Sequence, residues 1–468
     1  MIAKCFGRQR DSILVESMGT SEPGGGGVNL PAELNQVNVG LSVENRLVGG
    51  SDSHLPYLMW IFTIQVFFAG MLVLPTSFQL QRGAALVFLA GIAAALAFHH
   101  WRVRREILVL WLATMLVGAF GVTWGALNDA PGALRVSSVY LIWPMVYLLF
   151  IGLAHGLPVM RRMESALLVG ISITTAMALI VLGAGLFGLG EEIYPLLAFQ
   201  DAGFGAFDGF FEFRIYSLTT VMYGFPFVAS LLAARRRELN GLQKAWLWLL
   251  MALMVVLALG SGRRMFWLIL VMTPFLALFF LQLSALRFGL AGMLGMIVKI
   301  GMVAALAGGG LIAVFDLESA ALAKEFGAAF LGQEKSSAVR YEQAEALWRA
   351  FESSPLIGVG LGSAVDVIRS VEQPWAYELA YLSLLKSVGL LGFSVYAVAI
   401  VWIVIKGMAA ARRDAEFAAM FVPLVTALAS FLIMNATNPY LEKFDYLWVL
   451  FLPLALINAY FTGRPSRA

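Results

Sequence analysis

The chain is short of charge, of histidine and of cysteine, and each shortage excludes something. Only 13 % of its 468 residues are Asp, Glu, Lys or Arg, about half the share of an ordinary soluble domain. Apolar residues make up 60 % and mean hydropathy is +0.82, so a water-soluble globule is excluded. Disorder is excluded as well, because it needs low hydrophobicity and high net charge. The net charge is +3 and the basic residues are scattered, which leaves no footprint for nucleic acid. The single cysteine, Cys5, rules out a disulfide scaffold, a CxxC redox pair and a thiolate zinc site; it reads as an idle thiol. No apolar h-region with a cleavage site occurs in the first 56 residues, which hold Lys4, Arg8, Arg10 and the run Gly24 to Gly27.

What the chain has instead is apolar runs of about 20 residues, the length that spans a bilayer. Runs bounded by charge predict twelve helices, near 57–78, 83–99, 107–126, 136–154, 165–187, 215–233, 243–260, 265–283, 292–315, 379–405, 416–434 and 444–462. The expected fold class is all-α, a polytopic membrane bundle. A flexible tail (1–56) precedes helices one to nine (57–315); a large polar loop (316–376) separates these from helices ten to twelve (377–462), and 463–468 form a second tail. Basic residues gather at the end shared with the N-terminal tail, among them Arg102, Arg104, Arg105, Arg235, Arg236, Arg237, Arg412 and Arg413. The positive-inside rule then makes both termini cytoplasmic and turns the large loop outward. All four histidines, His54, His99, His100 and His155, fall at the cytoplasmic end. Outward-facing chemistry therefore has no histidine base and no His/Cys metal cluster.

Three arginines break the charge rule by sitting at the outer end. Arg214 closes an acidic loop containing Glu191, Glu192, Asp201, Asp208 and Glu212, and Arg263 and Arg264 follow Gly260-Ser261-Gly262 in a tight connection. Charge at membrane depth usually faces a cavity or a partner, and the two glycines let backbone amides approach a ligand. The plain alternative is that these arginines snorkel to lipid headgroups. In the long loop, Arg340 to Glu352 reads as an amphipathic helix, with Tyr341, Ala344, Leu347 or Trp348, and Phe351 at helical spacing. The glycines of Leu356-Ile357-Gly358-Val359-Gly360-Leu361-Gly362 lack the preceding strand of a nucleotide loop and predict a close-packed turn. Glu378 stands at the mouth of helix ten, either as chemistry or as a partner for the helix N-terminus. Lys299, about midway along helix nine, is read as the intramembrane base.

Together these residues resemble the O-antigen ligase and polymerase superfamily. The resemblance runs over roughly 205–395: Arg214; Ser261-Gly262-Arg263-Arg264; Arg340 and Trp348 in a large loop; Pro355 to Gly362; Tyr377-Glu378; Tyr381-Leu382-Ser383-Leu384-Leu385; and Gly389-Leu390-Leu391-Gly392. It implies a glycosyltransferase of the bacterial inner membrane with a GT-C-like bundle, acting on the periplasmic face without metal or other cofactor. Its partner would be an oligosaccharide carried on undecaprenyl diphosphate. Membrane lipids surround it, and the resemblance leaves room for a polysaccharide chain-length regulator. Guanidinium groups stabilise the charge that a departing diphosphate develops, which points to Arg214, Arg263, Arg264 and Arg340. Trp375, Tyr377 and Tyr381 are expected to offer faces to sugar rings.

One position departs from the ligases of that superfamily, which place a histidine where this chain has Tyr377-Glu378. A buried carboxylate can act as general base, so Glu378 becomes the candidate catalytic residue and the expectation moves toward a polymerase. Such an enzyme would transfer the growing chain to the next lipid-linked repeat unit, with inversion. A ligase to another lipid or protein is the alternative. A transporter or flippase comes third, because no repeat relates the two halves and the charged features cluster at one face.

Overall fold

A computed structural model describes residues 54–75, 77–97, 101–154, 156–207, 210–286, 290–315, 335–368 and 370–463. Cys5, His99, His100 and His155, and most of the N-terminal tail, lie outside the described residues. The chain divides into two units, Met1–Pro56 and Tyr57–Ala468, and the helical bundle is the second.

The helices are α1 (His54–Val73), α2 (Gln79–Ala97), α3 (Arg105–Leu127), α4 (Ala133–Leu153), α5 (Gly156–Leu186), α6 (Leu218–Ala234), α7 (Gly241–Gly260), α8 (Arg264–Gln282) and α9 (Leu290–Phe315). After them come α10 (Lys335–Ser353), α11 (Ala380–Ala411), α12 (Ala415–Asn435) and α13 (Trp448–Thr462). The strands described, β1 (Gly203–Phe207) and β2 (Phe210–Arg214), form one antiparallel hairpin between α5 and α6. A helix thus stands at each of the twelve predicted apolar runs, and α10 is the amphipathic helix of the long loop. Among the described residues, eight helices are long and apolar enough to cross a membrane; α1, α2, α6 and α9 contribute shorter apolar stretches.

Several helices are apolar all round, which in a large bundle means either a central position or a lipid-facing one. α6 and α12 are central: α6 is buried continuously from Leu218 to Ala233, and α12 is buried along most of its length. They pack on each other and both on α8, and α12 packs on α13 as well. α3 and α11 are peripheral, with most of their surface open. Prolines lie inside α6 (Pro226), α8 (Pro274), α12 (Pro423) and α13 (Pro453). Membrane helices tolerate such breaks because neighbouring helices and Ser/Thr side chains take up the freed groups.

Contacts define two ends of the bundle. Where α1 begins, Asn458 Nδ2 donates to the carbonyls of Arg102 and Ile151, both at 2.9 Å, and the Ala285 amide meets the Ala411 carbonyl at 2.9 Å. Arg235 and Glu164 form an ion pair there at 2.6 Å. At the opposite end, Gln200 donates to the Val73 carbonyl at 2.9 Å and the Gly132 amide to the Gly362 carbonyl at 3.0 Å. The 3₁₀ turns Tyr440–Glu442 and Phe444–Tyr446, which join α12 to α13, lie at that end too.

Lys299 is exposed on the outside of the bundle, its ammonium 5.0 Å from the Trp248 ring centroid. The intramembrane base buried in the structure is a different residue, Lys386 of α11, 1 % exposed. The reason is helix phase: α9 turns Lys299 outward, where a long stem and an indole accommodate the charge, whereas α11 turns Lys386 inward.

Candidate functional site

The site is built around a break in α11. Gly389 has φ +64° and ψ −175°, so the helix is interrupted one-third of the way along. Breaking a helix strands carbonyls before the gap and amides after it, and the glycine-rich loop supplies both kinds of partner. The amides of Val359 and Gly360 donate to the carbonyls of Lys386 and Ser387, each at 3.0 Å. The amides of Leu390 and Leu391 donate to the carbonyls of Pro355 and Leu356, at 2.8 and 3.1 Å. The Leu361 amide goes to the Gly121 carbonyl of α3 at 2.8 Å. These loop amides are committed to protein carbonyls, which is why the string makes a close-packed plug and no phosphate cradle.

The plug fits because glycine faces glycine. Gly358, Gly360 and Gly362 all have positive φ, and a methyl at Gly360 would overlap the backbone of Gly125 on α3. Gly121 and Gly125 together receive Leu361, and a methyl on Gly125 would run into its carbonyl. Small residues allow this backbone-to-backbone approach in membrane helices.

On this platform the α10 helix carries Arg340 to Glu378, Nε to Oε2 at 2.5 Å. Glu378 is therefore paired with a cation across the loop, and Leu379 takes the N-cap position of α11. α10 packs Leu347, Ala346 and Gln343 inward and leaves Tyr341 and Trp348 exposed. Of the two alternatives at that position of the expected face, Leu347 is the inward one, and Tyr341, also expected there, is exposed. Trp348 instead donates to Glu352 at 2.7 Å.

Beside Glu378, Tyr377 is completely buried. Its hydroxyl accepts the Val365 amide at 2.6 Å, and the Lys386 ammonium lies 5.1 Å from its ring centroid. Burial raises the Tyr377 pKa, and the hydrogen bond from Val365 works against that rise. Tyr377 is hence a support beneath the site, a correction to the open sugar face expected of it: a ring covered on all sides cannot stack on a sugar. Trp375 is half-buried against Gly132, where a methyl would overlap the indole. Tyr381 donates its hydroxyl to the Leu432 carbonyl and lines a partly open apolar cavity.

That cavity has a volume of about 340 Å³, within the range of small-molecule pockets. Its walls are almost wholly apolar, with Trp111 of α3, Tyr140 and Pro144 of α4, Tyr381 and Tyr396 of α11, and Leu441 among them. Tyr381 lies one turn beyond Glu378, and Leu441 adjoins Glu442.

The segment 440–446 brings further charge. Glu442 accepts a hydrogen bond from Ser383 and lies within electrostatic range of Lys386, Lys443, Tyr377 and Tyr140. Burial pushes its carboxyl up to about 7, against the pull of Ser383, Lys386 and Lys443. Asp445, 1 % exposed, pairs with Arg82 of α2 at 2.7 Å. Tyr446 lies within electrostatic range of Arg263 and donates to the Tyr216 carbonyl at 3.3 Å. Arg263 occupies the N-cap position of α8, after Gly262 with φ +64°, and its amide donates to Ser261 Oγ at 3.2 Å. Arg264 is the first residue of α8. Arg214 ends β2, exposed, and is held by Asp201 at 3.0 Å.

Compared with known proteins, the chain matches no family model and no curated sequence.

The structure thus joins Arg340 directly to Glu378 and brings Arg263 to Tyr446, while it ties Arg214 to Asp201. Among the described residues no group of three or more His, Cys, Asp or Glu is arranged to hold a metal ion. Sequence reasoning missed Arg82, Lys386, Glu442 and Asp445. A signal for Lys386 existed, since it is a charge inside an apolar run. The 440–446 connection reads Tyr-Leu-Glu-Lys-Phe-Asp-Tyr, an ordinary charged turn until folding carries it to Lys386 and Arg82.

Proposed function

We propose that the protein is a membrane glycosyltransferase that polymerises oligosaccharide repeat units carried on undecaprenyl diphosphate. The observation that carries this reading is the Arg340–Glu378 pair, set three residues before Tyr381, which lines the apolar cavity. A lipid-linked sugar diphosphate has the matching parts: an apolar tail, an anionic link and a hydroxyl-rich head. In the proposed step the acceptor hydroxyl oxygen attacks the anomeric carbon of the donor chain. The carbon–oxygen bond to the diphosphate breaks with its electron pair leaving on the diphosphate, and the hydroxyl proton passes to Glu378. Direct displacement inverts the anomeric centre. Arg263, Arg264, Arg214 and Arg340 are the groups assigned to the departing charge, because fixed guanidinium groups stabilise it without reorganising.

The eight long apolar helices and the four shorter ones are read as twelve crossings of a bacterial inner membrane, in a GT-C-like arrangement. Arg102, Arg104, Arg105, Arg235, Arg236, Arg237, Arg412 and Arg413 lie at the end where α1 begins, which the positive-inside rule makes cytoplasmic. The site then faces the periplasm, where no nucleotide-sugar donor is needed. An exposed Lys299 gives no support to a charged through-path for transport.

The test is purified full-length protein in lipid, supplied with a lipid-linked repeat unit and EDTA, with products separated on a gel. A ladder of repeat multiples supports the polymerase, and Glu378→Gln should lower its formation by about 100-fold or more, the lower end of what general acid–base catalysis contributes. No ladder from the native repeat unit would reject the polymerase, and transfer to an added lipid acceptor would then identify a ligase.

A further inference from the structure

A buried ammonium in an apolar helix is costly unless it is paired and hydrogen-bonded, so Lys386 needs an account. Its Nζ donates to the Ser363 carbonyl at 2.7 Å and lies over the Tyr377 ring at 5.1 Å. Glu442 is the carboxylate within electrostatic range, itself bonded by Ser383 one turn earlier on α11. The backbone carbonyl of Lys386 also accepts the Val359 amide, at the edge of the helix break. One residue therefore touches the glycine plug, the end of the loop that follows it, and the aromatic neighbour of Glu378.

These contacts bracket the segment 363–378. Ser363 is its first residue and Tyr377 its second to last, and between them Tyr377 is tied back to Val365 at 2.6 Å. Its described residues contain little regular structure to hold it, yet it ends on the carboxylate that meets Arg340. Its two ends need a common anchor, and Lys386 supplies one with both a hydrogen bond and a cation–ring contact.

We propose that Lys386 is a positioning residue for Glu378: by gripping Ser363 and Tyr377 together it fixes the 363–378 loop and with it the carboxylate that faces Arg340. This rests on the polymerase reading for its kinetic consequence only. Lys386 is too deeply buried to touch a sugar or a diphosphate. Its effect passes through geometry, and a displacement of about 1 Å in a reacting group can cost about 100-fold in rate.

The experiment compares wild type with Lys386→Met and Lys386→Arg in the full-length protein in lipid. Backbone hydrogen exchange is read over 363–378 and over α12, alongside kcat and KM on the lipid-linked repeat unit. The Met variant is expected to exchange faster over 363–378 with α12 unchanged. Its kcat should fall by about 100-fold while KM stays within about twofold, the pattern of a lost transition-state interaction. The Arg variant, which keeps charge and donors, should recover a large part of both. Should the Met variant fail to fold, Lys386→Leu, which likewise lacks the charge and the donor, carries the same measurement. Unchanged exchange over 363–378 would overturn the proposal, as would a loss spread through α12 with kcat per folded molecule intact. If wild type itself makes no ladder, the polymerase reading falls, and the exchange data alone still decide whether Lys386 holds the loop.

Discussion

The glycine plug makes a prediction whose size can be worked from geometry. At Gly360, φ is +99° and a methyl would overlap the Cα and N of Gly125. Two costs should add in Gly360→Ala: roughly 1–2 kcal/mol for an L-residue in left-handed backbone, and roughly 1–3 kcal/mol for overpacking where only backbone is available to yield. The expected destabilisation is therefore about 2–5 kcal/mol. Gly188 separates the two, because it has φ +72° but nothing within 4 Å of its would-be methyl; Gly188→Ala should cost only the first part. Gly91 lies inside α2 with open space around it, and its change to Ala should be neutral or stabilising by up to about 1 kcal/mol. Refolding from SDS into mixed micelles would give the three free energies. Gly125→Ala adds a check, because Gly125 and Gly360 share one contact and the double variant should cost less than the two single changes added. Equal costs for Gly360→Ala and Gly188→Ala would refute the rigid plug and mean that the loop yields freely.

Other outcomes follow from the charges. Arg263→Ala or Arg264→Ala should weaken binding of a soluble lipid-diphosphate analogue by about tenfold or more, and the Lys variants should recover only part of it, since a lysine lacks the bidentate fork; binding equal to wild type in both Ala variants would remove the anion site. Glu442 should leave a signature in stability against pH. Its folded-state pKa, about 7, lies above the ordinary 4.5, so between those values the folded chain holds a proton that the unfolded chain has lost. Its contribution is fully present below about 4.5 and is lost as pH rises through about 7. Stability of wild type relative to Glu442→Gln should decline across that window, and a flat difference would show that Glu442 is not desolvated.

How much of this was legible in the sequence depends on the range of the interaction involved. Apolar runs marked the positions of twelve helices, and among the described residues eight of them are long and apolar enough to cross a bilayer. The Pro355 to Gly362 string could be read as a tight turn, and Glu378 and Arg340 stood out as charges beside apolar helices. Their pairing could not be read, since 38 residues separate them. For α10 the spacing left Leu347 and Trp348 as alternatives for the inward face; folding buries Leu347 and leaves Tyr341 and Trp348 exposed.

By itself, then, the sequence determined that the chain is a helical membrane protein with its unusual charges gathered at one end, because hydropathy and charge act locally and need no partner. The tertiary structure decided which of those charges meet. It put Lys386 rather than Lys299 inside, opened α11 at Gly389 and filled the gap with loop backbone, and carried Glu442 and Asp445 up to cations on distant helices. The cost of a buried charge depends on what lies across from it, and that is known only when the chain has folded.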